Sequence, residues 1–71
     1  MTDEEFAAMR QAQDDGCAIC GEADGLVLDH DHTTGANRGL LCGFCNRALG
    51  SFRDDPARLK AAIAYLRRWQ G

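Results

Sequence analysis

Two Cys-x-x-Cys pairs constrain the fold of this 71-residue chain more than any other feature. Cys17 and Cys20 form the first pair, and Cys42 and Cys45 form the second after 21 intervening residues. A chain below about 70 to 80 residues usually needs a disulfide, a metal or a partner subunit, because its core is too small. Two such pairs complete the tetrahedral shell of four thiolates that zinc prefers. The spacing therefore predicts a structural Zn²⁺ site, in preference to disulfides or redox chemistry.

The N-terminal residues are acidic and have no apolar run, so they do not resemble a secretory leader. No stretch of the sequence is apolar over the length that crosses a bilayer. We therefore expect a cytoplasmic protein without a membrane partner. Thiols stay reduced in that compartment, which again favours a metal site over disulfides.

Charge is distributed unevenly along the chain. The net charge is −3, but residues 1–36 carry nine acidic side chains and one Arg, whereas residues 37–71 carry seven basic and two acidic side chains. Two interpretations fit this asymmetry. The basic half faces the phosphates of a nucleic acid, or both halves are simply solvated surfaces.

A helix is predicted at each end of the chain. Thr2 and Glu5 form a capping box that starts a helix ending near Gln13. One face of it is predicted to pack on the cysteine region, with a dimer contact as the alternative, and carries Phe6, Met9 and Ala12. Asp-Asp-Pro at residues 54–56 starts the C-terminal helix. Its apolar residues recur at helical spacing and are predicted to form core: Leu59, Ala62, Ile63, Leu66 and Trp69.

A β-hairpin is predicted between the two cysteine turns. The order is a strand, a polar turn, a returning strand and, after the second cysteine turn, a short helix, at residues 26–32, 33–37, 38–41 and 46–49. Gly50 is expected to close the short helix. The prediction is one α+β domain over residues 1–71 with its core motif at 17–50: a small zinc-stapled ββα unit with flanking N- and C-terminal helices.

The sequence Asp-His-Asp-His at residues 29–32 contains both histidines of the chain. Burying four ionisable groups without partners is costly, so a purely structural strand would not carry them. A carboxylate oxygen suits Mg²⁺ or Mn²⁺, and a neutral imidazole beside it takes a proton from water near neutral pH. Asn46 follows Cys45 directly and offers an amide oxygen to the same ion. The pattern indicates metal-assisted hydrolysis; the alternative is a polar strand end in solvent, or histidines that support the zinc.

Three segments together resemble the phage recombination endonuclease VII family, which belongs to the His-Me finger (HNH-like) nucleases. They are Cys-x-x-Cys-Gly at 17–21, Leu-Asp-His-Asp-His-x-x-Gly at 28–35, and Arg-Gly-Leu-Leu-Cys-x-x-Cys-Asn-x-x-Leu-Gly at 38–50. The resemblance implies a ββα-metal fold, in which a hairpin and the following helix surround one catalytic metal. It also implies an endonuclease that hydrolyses DNA phosphodiester bonds.

The same resemblance implies roles for individual residues. Asp29 and Asn46 match the ligands of a catalytic Mg²⁺ or Mn²⁺, and His30 matches the general base. His32 matches a second active-site histidine, which is a phosphate contact or an alternative base. Arg38 matches a basic position that binds the phosphate of nucleic acid, with a surface arginine capping the hairpin as the alternative. The four cysteines match the structural zinc site.

Two departures from the family pattern narrow these expectations. A glutamate that the family places a few residues after the asparagine is absent, since this chain has Ala48, Leu49 and Gly50 there. The larger members also carry long helical extensions, which they use to dimerise and to grip branched DNA. We therefore expect nicking or double-strand cutting of DNA in the host cytoplasm, by a monomer, a homodimer or part of a larger phage complex. The competing hypothesis is a non-catalytic zinc-ribbon module that binds DNA or a protein partner.

Overall fold

A computed structural model describes residues 1–70 and has three helices and one two-stranded antiparallel sheet. In chain order the elements are α1 (Asp3–Ala12), β1 (Leu26–His30), β2 (Asn37–Cys42), α2 (Gly43–Ser51) and α3 (Pro56–Arg68). The α+β class is confirmed, with a ββα unit flanked by a helix on either side. None of the helices formed by residues 1–70 combines the length and the apolar character needed to cross a membrane.

The capping box at the start of α1 is present as predicted. The backbone N–H of Glu5 donates to the Thr2 hydroxyl at 3.1 Å, and the backbone N–H of Thr2 donates to the Glu5 carboxylate at 3.2 Å. These bonds with Thr2 hold the pKa of Glu5 below its usual range. After the helix, Asp14 and Asp15 adopt left-handed backbone, with φ of 55° and 60°. This turn sends the chain back toward the first cysteine pair.

Gln13, immediately after α1, attaches that helix to the sheet. Its side-chain amide donates to the carbonyl oxygens of Leu40 and Gly16, both at 2.9 Å. Its carbonyl oxygen accepts from the backbone N–H of Leu40, also at 2.9 Å. The side-chain amide therefore pairs with one residue of β2 as a neighbouring strand would. Arg10 adds a further bond from its guanidinium to the carbonyl of Ala23 at 3.0 Å.

The hairpin turns earlier than predicted, because β1 ends at His30 and not at residue 32. The carboxylate of Asp31 accepts from the backbone N–H groups of Thr33 and Thr34, at 2.8 and 3.1 Å. Both bonds hold the pKa of Asp31 below its usual range. A side chain that satisfies backbone donors in this way ends the strand and starts a turn. Asp31 and His32 therefore belong to the turn and not to the predicted strand.

Helix α2 is longer than predicted at both ends. It starts at Gly43, so the second cysteine pair lies in its N-terminal turn, and Cys42 caps it by accepting from the backbone N–H of Cys45 at 3.4 Å. Gly50 lies inside the helix, which ends at Ser51, so the predicted closure at Gly50 is wrong. Helical hydrogen bonds compensate for the weak helix propensity of one glycine.

The buried core surrounds β2 and the cysteines. Leu40 is completely buried, and the other buried apolar residues are Cys17, Leu41, Cys42 and Cys45. Leu26 and Leu49 pack against Leu41 and the three buried cysteines. A core of this size agrees with the expectation that the cysteine region supplies much of the stability.

The two predicted apolar helix faces behave differently. Helix α1 contacts β2, and Phe6 and Met9 are half-buried while Ala12 is exposed. Helix α3 packs against none of the other helices and strands within residues 1–70. Its predicted core stripe is half-buried at Leu59 and Ala62 but exposed farther on, where Ile63 is 48%, Leu66 57% and Trp69 77% accessible. The prediction that this stripe is core is wrong, because correct helical periodicity does not by itself supply a packing partner.

Candidate metal centre and nuclease site

The four cysteine sulfurs converge at one place. All four lie within 4.8 Å of one another, and the sulfurs of Cys20 and Cys42 are 3.6 Å apart. Four thiolates about 2.3 Å from a zinc ion would form a tetrahedron with edges of about 3.8 Å. Cys17, Cys42 and Cys45 are buried, whereas Cys20 is exposed. The sulfurs are thus arranged to hold one metal ion, as their spacing predicts.

Each cysteine pair is held by its own local structure. In the first turn, the backbone N–H of Cys17 donates to the carbonyl of Glu22 at 2.8 Å, and that of Gly21 donates to the carbonyl of Cys17 at 3.0 Å. Gly21 has φ of +82°, a left-handed conformation that glycine adopts without steric cost. The second pair is carried by the start of α2. The loop before β1 and the start of α2 therefore meet at the four sulfurs and connect the start of β1 to the end of β2.

Cys17 and Cys45 differ in how readily their thiols lose a proton. Burial opposes ionisation of Cys17, but hydrogen bonds to its sulfur outweigh burial and lower its pKa to about 6; the donors are backbone N–H groups of Cys20, Cys42 and Ile19. Burial, reinforced by the neighbouring thiols, raises the pKa of Cys45 to about 12. Cys17 therefore ionises readily, and its negative charge opposes ionisation of Cys45. A bound cation would reverse that preference, so metal binding should release protons.

A β-bulge lies at the point where β1 approaches the Asp-His-Asp-His segment. Leu28 pairs with Leu40 and His30 pairs with Asn37, so two residues of β2, Arg38 and Gly39, lie opposite Asp29. A bulge of this kind redirects a side chain at the end of a ladder. Here it accompanies a direct contact between Asp29 and Arg38.

Asp29 is buried, with 6% of its surface exposed, and forms an ion pair with Arg38. The Arg38 Nε donates to the Asp29 carboxylate at 2.5 Å, and its Nη2 donates to the Asp54 carboxylate at 3.3 Å. The hydrogen bond to Asp29 raises the pKa of Arg38, which keeps the guanidinium charged. A buried carboxylate requires such a partner, because an unpaired charge in the interior is costly.

The other predicted site residues fall into two groups. His32 and Arg38 line an open cleft of about 510 Å³ together with Asp31, Thr33, Gly50, Arg53 and Asp54. His32 is exposed, and its Nε2 lies 3.8 Å from the Asp54 carboxylate. His30 is exposed at the end of β1, and Asn46 is half-buried near the start of α2. Neither His30 nor Asn46 lines that cleft, but β1 and α2, which carry them, pack against each other.

Sequence reasoning missed Asp54 and Arg53. Arg53 was given no role and Asp54 only the start of the C-terminal helix, yet α3 is capped by Asp55, whose carboxylate accepts from the backbone N–H of Ala57 at 2.9 Å. One aspartate is sufficient for that cap. A second aspartate directly before it was the available signal that Asp54 has another partner.

A family model described as recombination endonuclease VII matches residues 1–68 of this chain. The chain belongs to the recombination endonuclease VII family. The four clustered cysteines and the ββα unit therefore occur in a chain of nuclease-type ancestry, which agrees with the resemblance of its motifs.

Two phage proteins illustrate the relatives of this endonuclease VII family member. The Gene 59 protein of Mycobacterium phage D29 is 47% identical over 73 residues, which is 96% of this chain and 44% of that protein. The Gene 59 protein of Mycobacterium phage L5 is 44% identical over 71 residues, which is 93% of this chain and 43% of that protein. The chain thus spans less than half the length of these curated relatives. No solved structure matches it.

Proposed function

We propose that this chain is a metal-dependent DNA endonuclease of the HNH-like type, with one catalytic divalent cation and His30 as general base. The observation that carries the proposal is the buried Asp29 carboxylate at the end of β1, directly before His30, in a member of the endonuclease VII family. Its strand packs against α2, the helix that carries Asn46.

The donor atoms available here suit Mg²⁺ or Mn²⁺. The Asp29 carboxylate and the Asn46 side-chain amide would each supply one oxygen, and hard divalent cations prefer oxygen ligands. The low exposure of Asp29 supports this role, since a buried carboxylate keeps a fixed position and has few competing waters. When bound, the cation would stabilise negative charge that develops on the phosphate and the leaving oxygen.

The chain's own side chains divide the remaining tasks. His30 is exposed beside Asp29, so its imidazole can accept a proton from an attacking water. His32 and Arg38 line the adjacent cleft and are proposed to hold the phosphate group. The surplus of basic residues in the second half of the chain favours a DNA partner.

The four cysteines are proposed to hold Zn²⁺ in a structural role. A shell of four thiolates leaves no open position for water or substrate. Because Asn46 follows Cys45 directly, zinc ligation would fix the start of α2 against the hairpin. The zinc would then preorganise the catalytic site without taking part in the reaction.

The proposed setting follows from the phage relatives. DNA in the host cytoplasm is the proposed substrate, and a single copy cutting once would nick one strand. A double-strand cut would require a second site, from a homodimer or a larger phage complex.

Single-turnover cleavage of a short DNA duplex tests the assignment of residues. His30→Ala is expected to lower the cleavage rate about 100- to 10,000-fold, as for loss of a general base. It should leave Mn²⁺ binding and the zinc content unchanged. Asn46→Ala should weaken Mn²⁺ binding instead. If His30→Ala cleaves at the wild-type rate, His30 is not the base.

The alternative function is a non-catalytic zinc module that binds DNA or a protein partner. The ion pair between Asp29 and Arg38 favours it, because Arg38 holds the carboxylate that a catalytic cation would need. Titration with Mn²⁺ separates the two functions. Binding that is lost in Asn46→Ala supports the nuclease, and no such binding supports the module.

A further inference from the structure

Arg38 lies between two carboxylates that come from distant parts of the chain. Its Nε donates to Asp29 of β1 at 2.5 Å, and its Nη2 donates to Asp54, after α2, at 3.3 Å. The side chain of Asp29 is 8% exposed and that of Asp54 22% exposed. Arg38 is therefore shared between a buried carboxylate and one that lines the cleft.

The backbone at Asp54 is held in an unusual conformation. Arg53 and Asp54 have φ of 58° and 53°, consecutive left-handed residues that are not glycine. Such conformations are uncommon for residues other than glycine and persist where surrounding structure holds them. Here the backbone N–H of Asp54 donates to the carbonyl of Leu49 at 2.9 Å, and that of Arg53 donates to the carbonyl of Gly50. The turn directs the Asp54 carboxylate toward Arg38 and His32.

A cation bound to Asp29 would compete directly with Arg38. The guanidinium already donates to one oxygen of that carboxylate, and two positive charges at one small site repel each other. If Asp29 were the sole partner, binding of the cation would leave Arg38 without a counter-charge. Asp54 offers Arg38 a second carboxylate within reach, so a cation can displace Arg38 from Asp29 more easily.

We propose that Asp54 is a positioning residue that takes over Arg38 when a divalent cation binds Asp29. The inference rests on the proposed function, because it assumes that Asp29 is a ligand of the catalytic cation. In the metal-free protein, Arg38 neutralises Asp29 and prevents an unpaired buried charge. In the metal-bound protein, Asp54 keeps the guanidinium over the cleft, where its remaining N–H donors face the place of a DNA phosphate.

Mn²⁺ titration of the zinc-loaded protein without DNA tests this exchange, with free Mn²⁺ followed by electron paramagnetic resonance. Arg38→Gln removes the competing charge and is expected to tighten Mn²⁺ binding at least about threefold. Asp54→Asn leaves Arg38 dependent on Asp29 and is expected to weaken binding by a similar factor. Asn tolerates left-handed backbone as Asp does, so the turn should be retained.

The double variant Arg38→Gln/Asp54→Asn distinguishes positioning from simple charge. If Asp54 acts through Arg38, Asp54→Asn weakens Mn²⁺ binding far less once Arg38 is absent. If it weakens binding equally in both backgrounds, Asp54 acts only as a nearby charge and the proposal is overturned.

Asp15→Asn is the matched control, because Asp15 also has left-handed backbone and pairs with an arginine, Arg10, at 3.8 Å. It should leave Mn²⁺ affinity unchanged, and a loss equal to that of Asp54→Asn would overturn the proposal. If wild-type protein shows no Mn²⁺ binding that Asn46→Ala abolishes, the proposed metal site fails and this inference fails with it. Intact Mn²⁺ binding that does not respond to Arg38→Gln or Asp54→Asn contradicts the inference alone.

Discussion

The cysteine-hairpin region, residues 17–51, and helix α3 both carry many apolar residues but bury them to different extents. In the first region, the buried cysteines pack with Leu41, and the neighbouring Leu40 is completely buried and pairs with Gln13. In α3, a regular apolar stripe ends with Trp69 77% exposed. The difference shows that contacts with other helices and strands, and not helical periodicity, decide which apolar residues are buried. The residues proposed to act in catalysis lie on the hairpin or on α2.

The largest expected effect is loss of the cysteine cluster. A structural zinc site contributes on the order of 10 kcal/mol, which is comparable to the entire stability of a small domain. Cys42→Ser is therefore expected to abolish cooperative thermal unfolding measured by circular dichroism. Phe44→Ser changes an exposed residue between Cys42 and Cys45 and should leave the Tm at the wild-type value. A cooperative transition near the wild-type Tm in Cys42→Ser would show that the hairpin region does not depend on the cluster.

The same truncation in the two regions should have unequal consequences. Leu40→Ala removes a completely buried side chain and is expected to lower the free energy of unfolding by about 2 to 5 kcal/mol. Leu66→Ala, in α3, removes a side chain that is 57% exposed and should change it by no more than about 0.5 kcal/mol. Urea denaturation of both variants provides the comparison. Equal losses would mean that the α3 stripe is packed in solution.

Gln13 should contribute to the stability of the fold although it is a polar residue at a helix end. Gln13→Ala leaves both backbone groups of Leu40 without their side-chain partner, and we expect a loss of about 1 to 3 kcal/mol in urea denaturation. Gln11→Ala, which changes an exposed glutamine two residues earlier in α1, is the matched control. If the two variants are equally stable, α1 is not anchored to β2 through this side chain.

The smallest effect concerns acid pH at the hairpin turn. The pKa of Asp31 is below its usual range in the folded protein, because its carboxylate accepts from the backbone N–H groups of Thr33 and Thr34. Its stabilising contribution is therefore complete above the unfolded pKa of about 3.9 and is lost as pH falls through the lower folded value. The amide resonances of both threonines should shift below about pH 4. Asp31→Asn, which cannot ionise, should remove this pH dependence; its persistence would contradict the assignment.

Features carried by a recognisable motif were predictable from the sequence, whereas individual side-chain contacts between distant residues were not. The Cys-x-x-Cys spacing, the Thr2 and Glu5 capping box and the Asp55 cap each depend on a few neighbouring residues. The pairing of Gln13 with Leu40 and of Arg38 with Asp54 depends on how the chain returns on itself. The bulge opposite Asp29 likewise requires the strand register, which composition does not encode. The roles of Asp29, His30 and Asn46 remain proposals based on the resemblance and on the chemistry of their donor atoms.

Cleavage of supercoiled plasmid in Mg²⁺ tests the central claim most directly. The zinc-loaded wild-type protein is predicted to produce relaxed or linear DNA, and chelation of Mg²⁺ should stop the reaction. The His30→Ala/His32→Ala double variant, with zinc content and fold retained, is predicted to leave the plasmid supercoiled. Equal cleavage by the double variant and the wild type would contradict a nuclease centred on this histidine segment.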